Sequence, residues 1–250
     1  RLTGAGDLMP FNTLGLANGN PTGLPADQLF VAGDIRANET IALTAIHTLF
    51  VREHNYWADR IAAQDTGLSD EEIYQRARQI VGAEVQFITY NEFLPAVLGP
   101  DALTPYTGHN PNVNASVSNV FSTAGFRVGH TMLPSTLLRL DSDGNPIPQG
   151  NVSLRDAFFR PDRISNEGGI DPILRGLALQ IQQEIDSKIV DDVRNFLFDN
   201  PPANTAFDLG ALNIQRGREH GLADYNQTRI DFGLPPARRF RDINRDPRVW

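Results

Sequence analysis

The chain has 250 residues, 40% of them hydrophobic and spread along its length, which is ample for a packed core and inconsistent with disorder. Lys and Arg total 22 against 30 Asp and Glu, a formal net charge of -8, and the basic residues are scattered, so neither a nucleic-acid footprint nor a polybasic membrane anchor is expected. Cysteine is absent, which excludes disulfides, thiolate metal ligands and cysteine nucleophiles, and no apolar run approaches the ~18 residues of a membrane span.

In chain order, the first 33 residues are rich in Gly, Pro and Asn and read as loop. The opening, RLTGAGDLMPFN, lacks the apolar region of a signal peptide, and both ends are expected to lie inside a longer domain. Asp34 is placed to cap a helix running to about Ala63, apolar almost all round from Ile41 to Val51, as expected of a helix buried among others. Ser69 and Glu72 form a capping box for a second helix that Gly99–Pro100 ends. A third helical stretch is expected over Ser118–Met132, and a turn with Asp143–Gly144 at its tip over residues 141–151. Further helices are expected at Asp171–Leu179, Asp186–Phe198, Leu209–Arg218 and Ala223–Phe232. The organisation is mainly helical, with long loops and little β structure.

Five histidines are candidates for metal or acid–base chemistry. His47 and His54 share a helical face with Leu43, Phe50, Trp57 and Ile61; without HExxH or ExxH spacing, core histidines are the favoured reading over ligands. His109 sits in an exposed loop, and His220, in REHG, reads as a helix end before a Gly stop. His130 lies in FRVGHTMLP, with Arg127 one turn before it and Gly129 removing a side chain where a flat ligand needs close approach. Arg36 and Glu39, at the start of the first helix, and Asn213 and Arg216, in ALNIQRGREHG, repeat that three-residue spacing. From spacing alone, three ion pairs closing a helix bundle are favoured over one planar ligand with anionic edges and a central metal.

Five segments in order shift that balance. FVAGDIRANETIALTAIHTLFVREHN, ARQIVGAEVQFITYNEFLPAVLG, FRVGHTMLPSTLLRLD, EGGIDPILRGL and ALNIQRGREHGLADYN resemble the animal-type haem peroxidases, the superfamily of myeloperoxidase, lactoperoxidase and peroxidasin. The resemblance runs from about Leu8 to Leu234 and implies the mainly α fold of the myeloperoxidase type, with residues 1–250 as part of one catalytic domain. The lack of cysteine points to a bacterial member, since animal members usually carry disulfides. By resemblance, His130 matches the proximal ligand of haem iron and Asn213 the amide that bonds its other ring nitrogen. Arg127 and Arg216 match positions near the haem propionates, and Arg36 the distal arginine that stabilises charge on the departing peroxide oxygen. Glu39 matches a glutamate that can form an ester with haem b; Thr40 stands where some members carry a sulfonium-forming methionine. Phe159 and Phe198 match aromatic positions near the haem, which core packing explains equally well.

The same resemblance implies a peroxidase that reduces hydrogen peroxide and oxidises a halide, thiocyanate or small organic donor, in a secreted protein with no nucleic-acid partner. The distal histidine and the calcium loop of the family fall before Arg1, so calcium and an associated N-terminal segment are expected of the full-length protein only. DSDGNP is not an EF-hand, because its Gly stands fourth instead of sixth. A haem fatty-acid dioxygenase is the nearest alternative, weakened by the lack of any tyrosine between Tyr106 and Tyr225; a non-catalytic adhesion module is the other. Of the N-x-S/T triplets at Asn38, Asn114, Asn151 and Asn226, the first is expected where a glycan would not fit.

Overall fold

The computed structural model describes residues 8–198 and 206–248. Its helices are α1 (Ile41–Gln64), α2 (Asp70–Ile88), α3 (Leu94–Leu98), α4 (Asn119–Thr123), α5 (Leu154–Ala157), α6 (Asp162–Asn166), α7 (Asp171–Leu179), α8 (Asp191–Arg194), α9 (Leu209–Glu219) and α10 (Tyr225–Asp231). Among the described residues, the only sheet is the antiparallel pair β1 (Thr136–Leu137) and β2 (Val152–Ser153). The mainly α class with little β is as the sequence implies. The chain divides into two compact units, residues 1–114, 139–149 and 159–175 in the first, and 115–138, 150–158 and 176–250 in the second.

In the first unit, the entering loop is pinned by an antiparallel bridge between Phe11 and Phe30, whose rings stack 4.8 Å apart. Thr40, not Asp34, caps α1: its hydroxyl accepts the Leu43 N–H at 3.1 Å. The sequence placed the helix start too early because the Asp34 carboxylate is occupied within a turn. In that turn the N–H groups of Ala37 and Glu39 donate to the carbonyls of Asp34 and Arg36. Nor is α1 buried all round: Ile41, Thr44, Ala45 and Thr48 form its buried stripe, while Leu49 is exposed.

The expected capping box opens α2: Ser69 Oγ accepts the Glu72 N–H, and the Glu72 carboxylate accepts the Ser69 N–H at 2.9 Å. Trp57 Nε1 donates to Glu84 at 3.1 Å, tying α1 to α2. The helical run passes through one π turn, Thr89–Phe93, into α3 and stops at Gly99, whose φ of 99° suits glycine. Pro95 accounts for the π turn, since it has no N–H for the Asn91 carbonyl and its ring needs room there. Met9, Leu29, Phe30, Ile41, Ile164, Ile170 and Ile173 form the core of this unit, each contributing about 1.5–3 kcal/mol by burial. The turn over residues 141–145 forms as expected: Asp141 Oδ1 accepts the N–H groups of Asp143 and Asn145, and Gly144 takes φ 83°.

In the second unit, Ser118 Oγ accepts the Phe121 N–H and starts α4. The backbone turns at Ala124 into a 3₁₀ helix over Gly125–Met132, so the single helix expected from Ser118 to Met132 is two unlike pieces. Leu137, Val152, Leu154, Phe158, Val193 and Leu197 form the core. Gly176 is required by packing, because a Cβ there would run into the Leu138 carbonyl. The expected helix Asp186–Phe198 shrinks to α8. Asp186 spends its carboxylate on the Lys188 N–H at 2.7 Å, and Leu197 is extended, bridged to Phe207. Asp208 and Asp224 cap α9 and α10 close to the expected starts.

Candidate functional site

His130 and Arg127 sit on the 3₁₀ helix of the second unit, where three residues make a turn and positions three apart eclipse. That stacks the two side chains more directly than an α-helix would. Asn213 projects from the second turn of α9, and its amide nitrogen lies 2.9 Å from His130 Nδ1. A half turn of that amide brings Oδ1 to the same place, where it accepts the Nδ1–H and leaves the lone pair on Nε2. Nε2 makes no hydrogen bond among the described residues. Burial, and then the Arg127 cation, lower the pKa of His130 below the ordinary imidazole value, so the neutral ring prevails at neutral pH.

Arg127 has a buried Nε without a hydrogen-bond partner and no ion pair among the described residues. Arg216, one turn beyond Asn213, is exposed and pairs with Glu219 at 3.7 Å. A Cβ on Gly129 would meet nothing within 4 Å, and Gly129 has no positive φ. Neither the backbone nor the protein's own packing requires glycine there.

In the first unit, Arg36 and Glu39 precede α1, so the expected shared helical face does not exist. A reverse turn joins them instead, the Glu39 N–H donating to the Arg36 carbonyl at 2.9 Å. The partner of Arg36 is Asp34, which takes the Nε–Nη2 edge of the guanidinium with both carboxylate oxygens and whose carboxyl is held far below the usual range by those bonds. Glu39 is half-buried, and burial raises its pKa against the partial offset of the Arg36 cation. Its carbonyl accepts the Phe159 N–H at 3.1 Å, so the structure does bring Glu39 and Phe159 together. Among the described residues, none of the three arginines serves a buried ion pair, which argues against the helix-bundle reading favoured from spacing alone.

Phe159 and Phe198 are the two non-glycine residues with positive φ among those described, at 52° and 57°. That backbone costs about 1–3 kcal/mol each. Phe159 is buried; Phe198, in the second unit, packs edge-on against Phe158 with ring centres 5.2 Å apart.

His54 is the core histidine expected, buried with Nε2 3.3 Å from the Tyr74 carbonyl and Nδ1 3.4 Å from Asn55. His47 is half-buried, its Nδ1 without a partner among the described residues, and burial lowers its pKa. His109 is exposed. His220 caps α9 before Gly221, but its ring has a partner no local signal announced: Nδ1 lies 2.9 Å from Asn119 Oδ1, 101 residues away. Asn38 is buried, its amide bonded both ways to the Phe30 backbone, so a glycan is excluded there.

No group of three or more His, Asp or Glu side chains among the described residues could hold a metal ion. Haem brings four nitrogen donors of its own, and asks of the protein one imidazole lone pair and cations for its carboxylates. His130, with a bonded Nδ1 and an open Nε2, and Arg127, with a buried unused donor, fit that group.

Comparison with known proteins agrees. The chain matches the animal haem peroxidase family over residues 2–249. It is 42% identical over 249 residues to a peroxidasin homolog of Mus musculus, covering 96% of this chain and 16% of that protein. The solved structure of peroxidase A from Dictyostelium discoideum superposes with a TM-score of 0.89 at 36% identity, covering 100% of this chain and 48% of that one. A fatty acid alpha-dioxygenase of Arabidopsis thaliana shares the fold, with a TM-score of 0.66 at 22% identity over 97% of this chain and 45% of the other. The chain thus spans less than half the length of each of these relatives.

Proposed function

The chain belongs to the animal haem peroxidase family, and from that premise we propose that it forms part of an enzyme that reduces hydrogen peroxide to water at the expense of a halide, thiocyanate or small organic donor. The observation that carries the reading is the 2.9 Å contact between the Asn213 amide and His130 Nδ1, which, with Oδ1 turned to accept the Nδ1–H, leaves the Nε2 lone pair of His130 open to a metal. Haem, when bound, supplies the electron chemistry that splits the peroxide bond. His130 would bind the iron through Nε2; Asn213 would hold its tautomer and orientation, and as a neutral amide would draw the Nδ1 proton less than a carboxylate. Arg127 and Arg216 bind the propionates.

In the same proposal, the Arg36 guanidinium stabilises the negative charge on the departing peroxide oxygen. Asp34 holds its Nε and Nη2 edge, which leaves Nη1 without a partner among the described residues and available to that oxygen. Glu39, kept uncharged more readily by burial, is the carboxyl that would form an ester with a haem methyl, its proton and one methyl hydrogen leaving with two electrons to reduce one hydrogen peroxide to two waters. Calcium and an extracellular location in the full-length protein complete the proposal by family analogy.

The test is an absorption spectrum of the full-length protein supplied with haem, beside its His130→Ala variant, together with peroxide-dependent oxidation of guaiacol or bromide. A Soret band and turnover in the parent, both lost in the variant, are expected. A parent without a Soret band, or a variant with an unchanged five-coordinate histidine spectrum, overturns the reading.

A further inference from the structure

We propose that His220 is a positioning residue for His130, acting through α4 and α9; the inference rests on the haem reading above. His220 Nδ1–H donates to Asn119 Oδ1 at 2.9 Å and lies 3.0 Å from Thr123 Oγ1. Asn119 Nδ2 donates to the His220 carbonyl at 3.1 Å, which fixes the amide's orientation. Its Oδ1 therefore faces the ring, and the Nδ1–H tautomer follows. The Thr123 hydroxyl donates to that same Oδ1 at 3.1 Å, closing the cluster.

Asn213 and His220 stand about two helical turns apart, on the same face of α9. Both partners lie in one short stretch of chain: Asn119 and Thr123 on α4, and His130 on the 3₁₀ helix that follows it. α9 is therefore fastened to that stretch at two points. Packing against α4 and α8 holds the body of α9, and the second fastening adds a fixed point at its end that sets the direction in which the Asn213 amide meets His130 Nδ1. The ring of His220 is not needed to end the helix. Its backbone N–H already bonds the Arg216 carbonyl, and Gly221 supplies the left-handed stop. Nor is it core, since His220 is exposed.

The test compares the full-length, haem-loaded parent with His220→Ala and His220→Asn, the latter keeping an N–H donor near the position of Nδ1. Two quantities are read: the iron–histidine stretch of the ferrous protein by resonance Raman, and haem release to excess apomyoglobin. His220→Ala should shift and broaden the band and speed release by up to about tenfold, the lower end of what losing a direct partner of a metal-binding histidine costs. His220→Asn should restore both. If both variants match the parent while His130→Ala abolishes the band, His220 has no positioning role and the haem reading stands. If the parent shows no iron–histidine band, the haem reading fails and this inference with it. Should His220→Ala not fold, Asn119→Ala and Thr123→Val read the same two quantities with the helix cap intact, and parental values there overturn the proposal equally.

Discussion

Asp34 holds one edge of Arg36 with both carboxylate oxygens: Oδ1 accepts Nε–H at 2.9 Å, Oδ2 accepts Nη2–H at 2.8 Å, and Oδ1 also takes the backbone N–H of Arg36 at 2.8 Å. The guanidinium is exposed, so this carboxylate, and not packing, sets its direction. Asp34→Asn keeps the shape but loses the paired charge-assisted bonds. The full-length variant should retain its haem while reacting with peroxide roughly tenfold more slowly in stopped flow, as expected if the catalytic role proposed for Arg36 holds and its cation is displaced. An unchanged rate would show that Arg36 is directed by something else.

Glu39 offers a pH signature. Its pKa is raised above the ordinary 4.5 chiefly by burial, so the folded protein holds the carboxyl proton more tightly than the unfolded chain. Stability from this group is therefore full below the unfolded value and is lost as pH rises through the folded one. Glu39→Gln, which cannot ionise, should flatten the decline of the haem-free protein's Tm between pH 4.5 and neutrality and raise Tm at pH 7. The same variant should release all its haem on denaturation, whereas mass spectrometry of the denatured parent should show haem attached. Free haem in the parent would remove the ester assignment.

What the sequence disclosed divides by range. The Ser69–Glu72 capping box and the limits of α7 came out as expected, because their signals lie within a few residues of their effects. Asp34 misled for a physical reason: a good capping side chain was claimed first by the guanidinium two residues on. Asp186 failed likewise, turning back to Lys188 instead of starting a helix. The spacing of three in Arg36–Glu39 and Arg127–His130 turned out to be a reverse turn and a 3₁₀ helix, neither of them the α-helix assumed. The His130–Asn213 contact joins residues 83 apart, and no periodicity encodes such a pair; it was reached only through the order of the family motifs.

Gly129 separates a ligand's demands from the fold's. It lies within a helical segment, without positive φ and with open space where a Cβ would stand. Gly129→Ala should therefore stabilise the haem-free protein by roughly 0.5–1 kcal/mol through the unfolded chain's lost freedom. If haem lies against this backbone, the same methyl should weaken haem retention. Titration of haem into parent and variant, beside their urea unfolding curves, reads both. Unchanged haem affinity would leave the glycine without a role in binding.

Arg139 is a buried charge of the first unit: its side chain is 2% exposed, paired with Glu167 and donating to the Gln149 carbonyl at 3.0 Å. Glu167 in turn receives Arg163 at 3.5 Å. Removing one partner of a buried pair leaves a charge in a poor medium, so Glu167→Ala should cost about 3–5 kcal/mol. The double change Arg139→Met with Glu167→Leu removes both charges and should recover most of that loss. Urea denaturation of the three proteins measures it, and a double variant as unstable as the single would mean the loss lies in packing.

Asn213 is where amide chemistry can be separated from geometry. Asn213→Ala removes the partner of Nδ1 and frees the ring to rotate, so haem release should quicken 10–100-fold. Asn213→Asp keeps a planar acceptor of nearly the same size but adds a negative charge, which draws the Nδ1 proton and makes Nε2 a stronger donor to iron. Release should then stay near the parent's rate while the ferric–ferrous reduction potential falls and the iron–histidine stretch rises. The Arg127 cation nearby lets the new carboxylate stay ionised, and Arg127→Gln in the Asn213→Asp background should return part of the lost potential. An Asn213→Asp protein with the parent's potential would mean the side chain at 213 does not act on the imidazole proposed to bind the iron.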